Sequence, residues 1–245
     1  MKEEQQIYGI RTVLEAISAE KPINKLFLQK GLSGPLFREL EHKARKQGLS
    51  VSYVPVERLN RFTQNNHQGA VAKIAPINFR DFETLIEEVL AKDGVPFLLL
   101  LDQVTDVRNF GAILRTAECT GAHAVIVPKS GSAPVNQDTV KTSAGGVFNV
   151  PISKVDHLKD AIYYLNASGV RIIAATEKTD KLLYDVDFNQ PTAILMGSEG
   201  KGVSDQLLKL VDEKAKLPML GEIDSLNVSV ACGAFLYEVV RQRQA

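Results

Sequence analysis

Four short, almost wholly apolar runs constrain this chain most: residues 97–101 (FLLLL), 124–127 (AVIV), 170–174 (VRIIA) and 192–196 (TAILM). A strand with one wet face alternates apolar and polar residues. Runs that do not alternate need cover on both faces, which is the condition of a parallel strand inside layered α/β structure. Helical patterns fall between and after them. Residues 109–119 form one, with Asn109 placed to cap it and Gly121 beyond its end. Residues 156–167 form another, with Asp156 as N-cap and Gly169 past the end. The last runs from about residue 226 to 243, with Ser225 placed as cap. This rhythm predicts an α/β fold: a mostly parallel sheet with helices on both faces.

The first 76 residues read as a separate small α/β unit. A helix over 12–19 follows a turn at Tyr8-Gly9. A strand covers 25–29, and a polar helix over 36–47 closes at Gly48. Further strands cover 51–54 and 70–74. Between the last two lies TQNNHQG, residues 63–69, a loop rich in side-chain amides. Such loops are ordinary solvated turns, and they also carry hydrogen-bonding groups suited to phosphates and unpaired bases. Residues 79–90 form an acidic amphipathic helix with Phe82, Leu85, Ile86 and Val89 on one stripe. The chain therefore divides into 1–76, a linker helix within 77–94 and a main domain over 95–245. The helix serves either as connector or as first element of that domain.

Composition narrows the function classes. The chain has 245 residues, 44% apolar and 24% charged, enough for a large core and too ordinary for disorder. No uncharged apolar run approaches the roughly 18 residues a membrane helix needs. The opening MKEEQQIYGI lacks the apolar stretch of a secretory leader, and two cysteines, Cys119 and Cys232, make no disulfide framework. A cytoplasmic location is expected. The four histidines (His42, His67, His123, His157) are scattered and no cysteine pair has finger spacing, so no metal site is expected. A net charge of zero conceals an asymmetry. Residues 1–76 hold 12 Lys and Arg against 7 Asp and Glu, and residues 77–245 hold 17 against 22. A basic module joined to an acidic one suits docking of a polyanion, although chance alone gives such a balance in so short a segment.

In open α/β sheets ligands bind beyond the carboxyl ends of the strands, so the segments after each run carry the chemistry. After FLLLL comes a helix with Phe110, Ile113, Leu114 and Ala117 on its core face. Gly111, Arg115 and Glu118 lie on another, readable simply as a surface Arg–Glu pair. After TAILM comes GSEGKGVS, residues 197–204, whose three glycines allow close backbone approach to a ligand and which also reads as a plain flexible loop. It is no phosphate loop: the glycine required at 195 is Leu195, and residue 202 is glycine rather than Ser or Thr. After a short strand at 215–217 comes LPMLGEIDSLNVSVACGAFLYEVVRQR. Val228, Ala231, Cys232, Phe235, Leu236 and Val239 make a core or partner-facing stripe there. Ser225, Asn227 and Ser229 cluster at the helix start, where free N–H groups favour negative charge.

The segments NFGAILRTAECTGA, ILMGSEGKGVS and LPMLGEIDSLNVSVACGAFLYEVVRQR, in this order and spacing, resemble the three signature motifs of the SpoU (TrmH-like) RNA 2′-O-ribose methyltransferases of the SPOUT superfamily. The likeness covers about residues 95–245. The first 76 residues, opening IYGIRTVLEAI and carrying NNHQG, look like the family's small substrate-binding domain, an L30e-like α/β module. Within the family the chain is most similar to members that modify a guanosine of 23S ribosomal RNA. A transfer RNA 2′-O-methyltransferase is the nearest alternative, and a non-catalytic RNA-binding or ribosome assembly factor is the alternative of a different class.

The resemblance implies a catalytic domain with a deep trefoil knot at its C-terminal end, holding S-adenosylmethionine (SAM) as cofactor. By position, Gly197, Leu217, Met219 and Leu226 would line the cofactor pocket, with Thr176 as a further contributor. The family's catalytic polar residues fall on Asn109, Arg115, Glu199, Ser225 and Asn227. Members are homodimers, joined through the C-terminal domain and its last helix, with the active site shared between chains. Arg115 would bind the phosphate next to the target and orient or polarise the 2′-hydroxyl. A guanidinium stays protonated in proteins and makes a poor base. Glu199 and Asn109 would hold Arg115 and the ribose, while Ser225 and Asn227 would position substrate and the final helix. Lys43, Arg45, Lys46, Arg58 and Arg61 would grip RNA through its phosphates.

Overall fold

The computed structural model describes residues 6–244, so the first five residues of the charged opening segment, and Ala245, lie outside the described residues. The chain forms two compact units, one of residues 1–78 with 134–137 and one of residues 79–133 with 138–245.

The first unit contains β1 (Gln6–Tyr8), α1 (Ile10–Ser18), β2 (Ile23–Gln29), α2 (Pro35–Lys46), β3 (Val51–Val54), α3 (Val56–Asn60) and β4 (Ala70–Ile74). Its sheet runs β1-β4-β2-β3, with β2 and β3 parallel and the other pairs antiparallel. Strand alternation sorts the side chains. Leu26, Leu28, Ala70 and Ala72 point to one face and bury Val13, Leu14 and Ile17 of α1 with Phe37, Leu40 and Ala44 of α2. Phe27, Val54 and Val71 point to the other face, where Leu59 of α3 packs on them. The short β1 and α3 carry too few residues for periodicity to reveal them in the sequence.

The second unit opens with α4 (Phe82–Leu90), capped by Asp81, whose side chain accepts from the Thr84 N–H. Of the two roles open to this helix it takes that of first element, for Leu85, Ile86 and Val89 are buried in the core of this unit. There follow β5 (Phe97–Leu101), α5 (Val107–Cys119), β6 (Ala124–Pro128), α6 (Gln137–Thr142), β7 (Ile152–Val155) and α7 (Leu158–Ala167). Then come β8 (Arg171–Ala175), β9 (Thr192–Met196), α8 (Asp205–Leu208), β10 (Glu213–Ala215) and α9 (Val228–Gln244). The sheet order is β10-β8-β9-β5-β6-β7, and every pair is parallel. The expected class is therefore the observed one. The four apolar runs are β5, β6, β8 and β9, all interior to the sheet, and β5, β6 and β9 are buried at every residue. On one face Leu98, Leu100, Ile126, Ile172 and Leu195 pack against α4 and α7. α9 lies on β8 and β9 and against α5.

α1 begins at Ile10 rather than 12, α2 at Pro35 rather than 36 and α4 at Phe82 rather than 79. At α5, α7 and α9 the start also differs from expectation, each for a capping reason. α5 begins two residues early because the Asp106 Oδ1 accepts from the N–H groups of both Arg108 and Asn109, at 2.9 and 2.8 Å. Asn109 thus sits inside the first turn rather than at the cap. α7 begins at Leu158 with His157 at the cap position and no side-chain cap bond; the Asp156 carboxylate is taken by Lys129 at 3.0 Å. α9 begins at Val228. Asn227 caps it, not Ser225: its Oδ1 accepts from the Ser229 N–H at 2.9 Å, and its carbonyl accepts from Val230 and Ala231. The last strand also ends earlier than expected, at Ala215 rather than at 217.

Candidate active site

The carboxyl ends of β8, β9 and β10 converge on a cavity of about 640 Å³, in the size range of roughly 300–1,000 Å³ typical of small-ligand sites. Thr176 and Glu177 follow β8, residues 197–202 follow β9, and residues 216–227 follow β10; all three stretches contribute to the lining, and Ala231 and Phe235 of α9 close the floor. Every cofactor residue expected from the sequence, Gly197, Leu217, Met219, Leu226 and Thr176, lines this cavity, and so do Glu199, Ser225 and Asn227.

The loop after β9 is held by the backbone. Ser198 and Gly202 exchange two hydrogen bonds, at 3.1 and 2.9 Å, so residues 198–202 turn back on themselves and present Glu199. Gly200 and Gly202 occupy left-handed backbone with φ of 84° and 66°. At Gly197 a Cβ would lie 1.9 Å from the Gly202 carbonyl carbon. Gly197 is therefore demanded by the chain folding onto itself, rather than by a ligand's approach. Asp102, at the end of β5 and only 6% exposed, fastens the far side of the loop by accepting from the Ser204 N–H at 2.9 Å. The sequence reading missed Asp102 and the capping Asp106. Their one signal is position, an aspartate just past a buried strand and another just before a helical pattern.

The segment from 217 to 226 behaves differently. Its backbone N–H and C=O groups take no partner among the described residues, and residues 219–226 are exposed. Leu217, Met219 and Leu226 supply apolar surface beside these groups. A cavity with an apolar lining and unpaired backbone donors and acceptors suits a flat, polar-edged ring system with an aliphatic arm.

At the cavity edge three expected catalytic residues meet. The Asn227 Nδ2 donates to the Asn109 Oδ1 at 3.0 Å and to the Glu199 carboxylate, while its Oδ1 accepts from the Ser229 N–H and from the Ser229 hydroxyl at 2.6 Å. Asn227 thereby uses two donors and two acceptances at once, which fixes its amide orientation. One residue from each motif is tied into a single cluster. Ser225 lines the cavity without joining that cluster. Arg115 stands apart: it is exposed on α5, does not line the cavity and makes no hydrogen bond or ion pair among the described residues. The Arg115–Glu118 pair suggested by spacing does not form; Glu118 accepts instead from Asn149 at 3.2 Å.

The family model of the SpoU rRNA methylases matches residues 96–237, and that of the RNA 2′-O ribose methyltransferase substrate-binding domain matches residues 6–80. The chain belongs to the SpoU rRNA methylase family. As a SpoU protein it is an RNA 2′-O-methyltransferase. It is 37% identical over 246 residues to the 23S rRNA (guanosine-2′-O-)-methyltransferase RlmB of Pseudomonas aeruginosa, covering 99% of this chain and 98% of that protein. Among solved structures it resembles the SpoU methyltransferase AviRb from Streptomyces viridochromogenes, in complex with AdoMet. The TM-score is 0.60 at 27% identity, covering 98% of this chain and 90% of that one. It also resembles the A. aeolicus TrmH/SpoU tRNA modifying enzyme at TM-score 0.57 and 32% identity, over 66% of this chain and 82% of that one.

Proposed function

We propose that this SpoU protein transfers the methyl group of SAM to the ribose 2′-hydroxyl of a guanosine in 23S ribosomal RNA, acting in the cytoplasm as a homodimer. The observation that carries this reading is the cavity beyond β8, β9 and β10, edged by the Asn109–Asn227–Glu199 cluster. The guanosine and the 23S RNA rest on the likeness to RlmB over nearly the whole length of both chains.

SAM supplies a methyl group already activated on a sulfonium, so the protein's task is alignment and the handling of one proton. Leu217, Met219 and Leu226, with the unpaired backbone of their segment, hold the cofactor, and Gly197 and Thr176 shape the wall. Glu199 and Asn109, fixed through Asn227, orient the ribose. Arg115, always cationic, binds the neighbouring phosphate and orients the hydroxyl, with the phosphate free to take the proton. Because Arg115 lies off the cavity of its own chain, the site is completed across the dimer. The exposed Val230 and Tyr237 of α9 support that contact. The reading includes the family's trefoil threading of the loops around the cavity.

The test is direct. Purified protein with labelled SAM and unmethylated 23S RNA should place label on one guanosine 2′-oxygen. Label on transfer RNA alone would move the target to the tRNA class, and no transfer to either would refute the reading.

A further inference from the structure

We infer that Phe148 is a platform on which one unpaired base of the RNA strand stacks, beside the phosphate held by Arg115; this rests on the RNA methyltransferase reading above and deepens it. Among the described residues, which include all ten phenylalanines, Phe148 alone of its kind is exposed, at 57%. Its ring meets no other ring and no cation among those residues. A single exposed apolar side chain is ordinary on a protein surface. What marks this one is the turn that carries it and the helix on which that turn is laid.

Residues 142–149 run along the α5 face that carries Gly111, Arg115 and Glu118. Where the turn starts, a Cβ on Gly111 would lie 1.8 Å from the Thr142 Oγ1. Further on, a Cβ on Gly146 would lie 3.3 Å from the Leu114 carbonyl oxygen and 3.4 Å from the Arg115 Cα. Where it ends, Asn149 donates to Glu118 at 3.2 Å. Phe148 therefore sits between a residue seated on the Arg115 backbone and one bonded to the next turn of the same helix. The turn is also fixed within itself. The buried Ser143 holds it twice: its carbonyl accepts from the Gly146 N–H at 2.9 Å and its hydroxyl from the Val147 N–H at 3.3 Å. The Phe148 N–H donates to the Gly145 carbonyl at 3.0 Å, and Val147 and Val150 are buried on either side. A bonded backbone anchored at both sides thus holds the ring out in water.

A protein face or a nucleobase could cover such a ring. A protein contact centres on contiguous apolar side chains. Here the ring is alone: between Val95 and Tyr163 no other large apolar side chain is exposed among the described residues, and its exposed neighbours in the turn are Ala144 and Asn149. A base needs only one π face, together with a cation for its phosphate. Arg115 is such a cation, exposed and without an ion pair among the described residues, and the same holds for Arg108 on that face and for Lys141 of α6. The carboxylates of these segments are engaged or turned to the far end. Glu118 is held by Asn149, Asp106 by the N–H groups it caps, and Asp138 belongs to the first turn of α6, opposite the end that enters the turn. Bases of an A-form duplex stay stacked on one another, so the base that reaches Phe148 comes from a loop or bulge. A ring and a guanidinium fixed by one contact would set that nucleotide, and with it the neighbouring ribose, at little entropic cost.

The chain contains no tryptophan, so F148W places a single indole at this position. The full chain is tested with 23S and transfer RNA transcribed in vitro, and the RNA that the wild type methylates is the probe. Titrating F148W with that RNA should quench about half of its emission or more, as stacking on a base does, while SAM alone should leave the emission unchanged. F148A should lower kcat/KM for the RNA at least ~10-fold with SAM affinity unchanged. F148L, apolar but without a ring, should fall as far, and F148W should recover transfer to within about threefold of wild type. Y163A removes a similarly exposed ring from α7 and should change nothing. Unquenched emission at RNA concentrations that saturate transfer would overturn the assignment, and so would F148L as active as wild type. An F148A protein that sediments as a monomer where the wild type is a dimer would also overturn it, because a second copy of the chain would then cover the ring. A wild-type protein that methylates neither RNA would instead bring down the reading on which this rests.

Discussion

Asn227 is the residue on which site and fold most depend together. It caps α9 and joins Asn109 to Glu199. Asn227→Ala should cost about 1 kcal/mol through the lost cap, roughly 2–4 °C in thermal midpoint, and should also lower methyl transfer. Asn227→Asp keeps the capping oxygen but sets a carboxylate against Glu199, so calorimetry should find near-normal stability and the transfer assay a similar loss. Arg115→Ala should leave stability and SAM binding untouched while methyl transfer falls about 10²-fold or more, as when one donor to a reacting centre is removed. A transfer rate within twofold of wild type would remove Arg115 from the site. A further residue matters for pH. Burial lowers the Lys154 ammonium from 10.5 to about 8, with its Nζ 4.0 Å from the Phe79 ring centroid. The depressed folded value means the unfolded chain holds more protons between pH 8 and 10.5, so this group's penalty on stability fades as pH rises through that window. Lys154→Met should therefore be more stable than wild type at pH 7, with the gap closing by pH 10.5 in denaturant titrations.

Among the elements, the loops after the strands were the harder part to read. The apolar runs announced β5, β6, β8 and β9, because a strand covered on both faces must be apolar throughout. Helix starts were legible only to within a few residues, since several side chains near each start compete to cap and the winner depends on backbone geometry. The glycines of 197–202 were visible as glycines, but whether they served a ligand or the loop itself was not. The geometry gives Gly197 to the loop. Gly197→Ala should force residues 197 and 202 apart, at roughly 1–3 kcal/mol by analogy with overpacked cores. Helix and strand content should stay unchanged by circular dichroism, and calorimetric SAM binding should be lost. Retained SAM affinity would show that the cavity does not depend on this closure.

For the whole molecule, four of the exposed apolar side chains lie in the segment beside the cavity or on α9: Leu220 at 97%, Ile223 at 73%, Val230 at 57% and Tyr237 at 56%. Val230 and Tyr237 are seven residues apart and so share one helix face. Arginine at both positions should give a monomer in sedimentation equilibrium and abolish transfer, because a site completed across the dimer would then lack Arg115. A monomer as active as wild type would place the whole site within one chain. No helix among the described residues is long and apolar enough to cross a membrane.

Local rules were sufficient for whatever repeats along the chain: apolar runs for a parallel sheet, helical stripes for its cover, and uneven charge for a basic module. The three motif segments could be picked out as chemically unusual, yet nothing in their spacing put Asn109, Glu199 and Asn227, which are up to 118 residues apart, into one hydrogen-bonded cluster. That required the strand order β8-β9-β5, which sets non-consecutive strands side by side and brings their following loops to one edge. Periodicity reports which face of an element is buried. Which elements become neighbours is decided by packing between distant parts of the chain, and only the folded structure contains that choice.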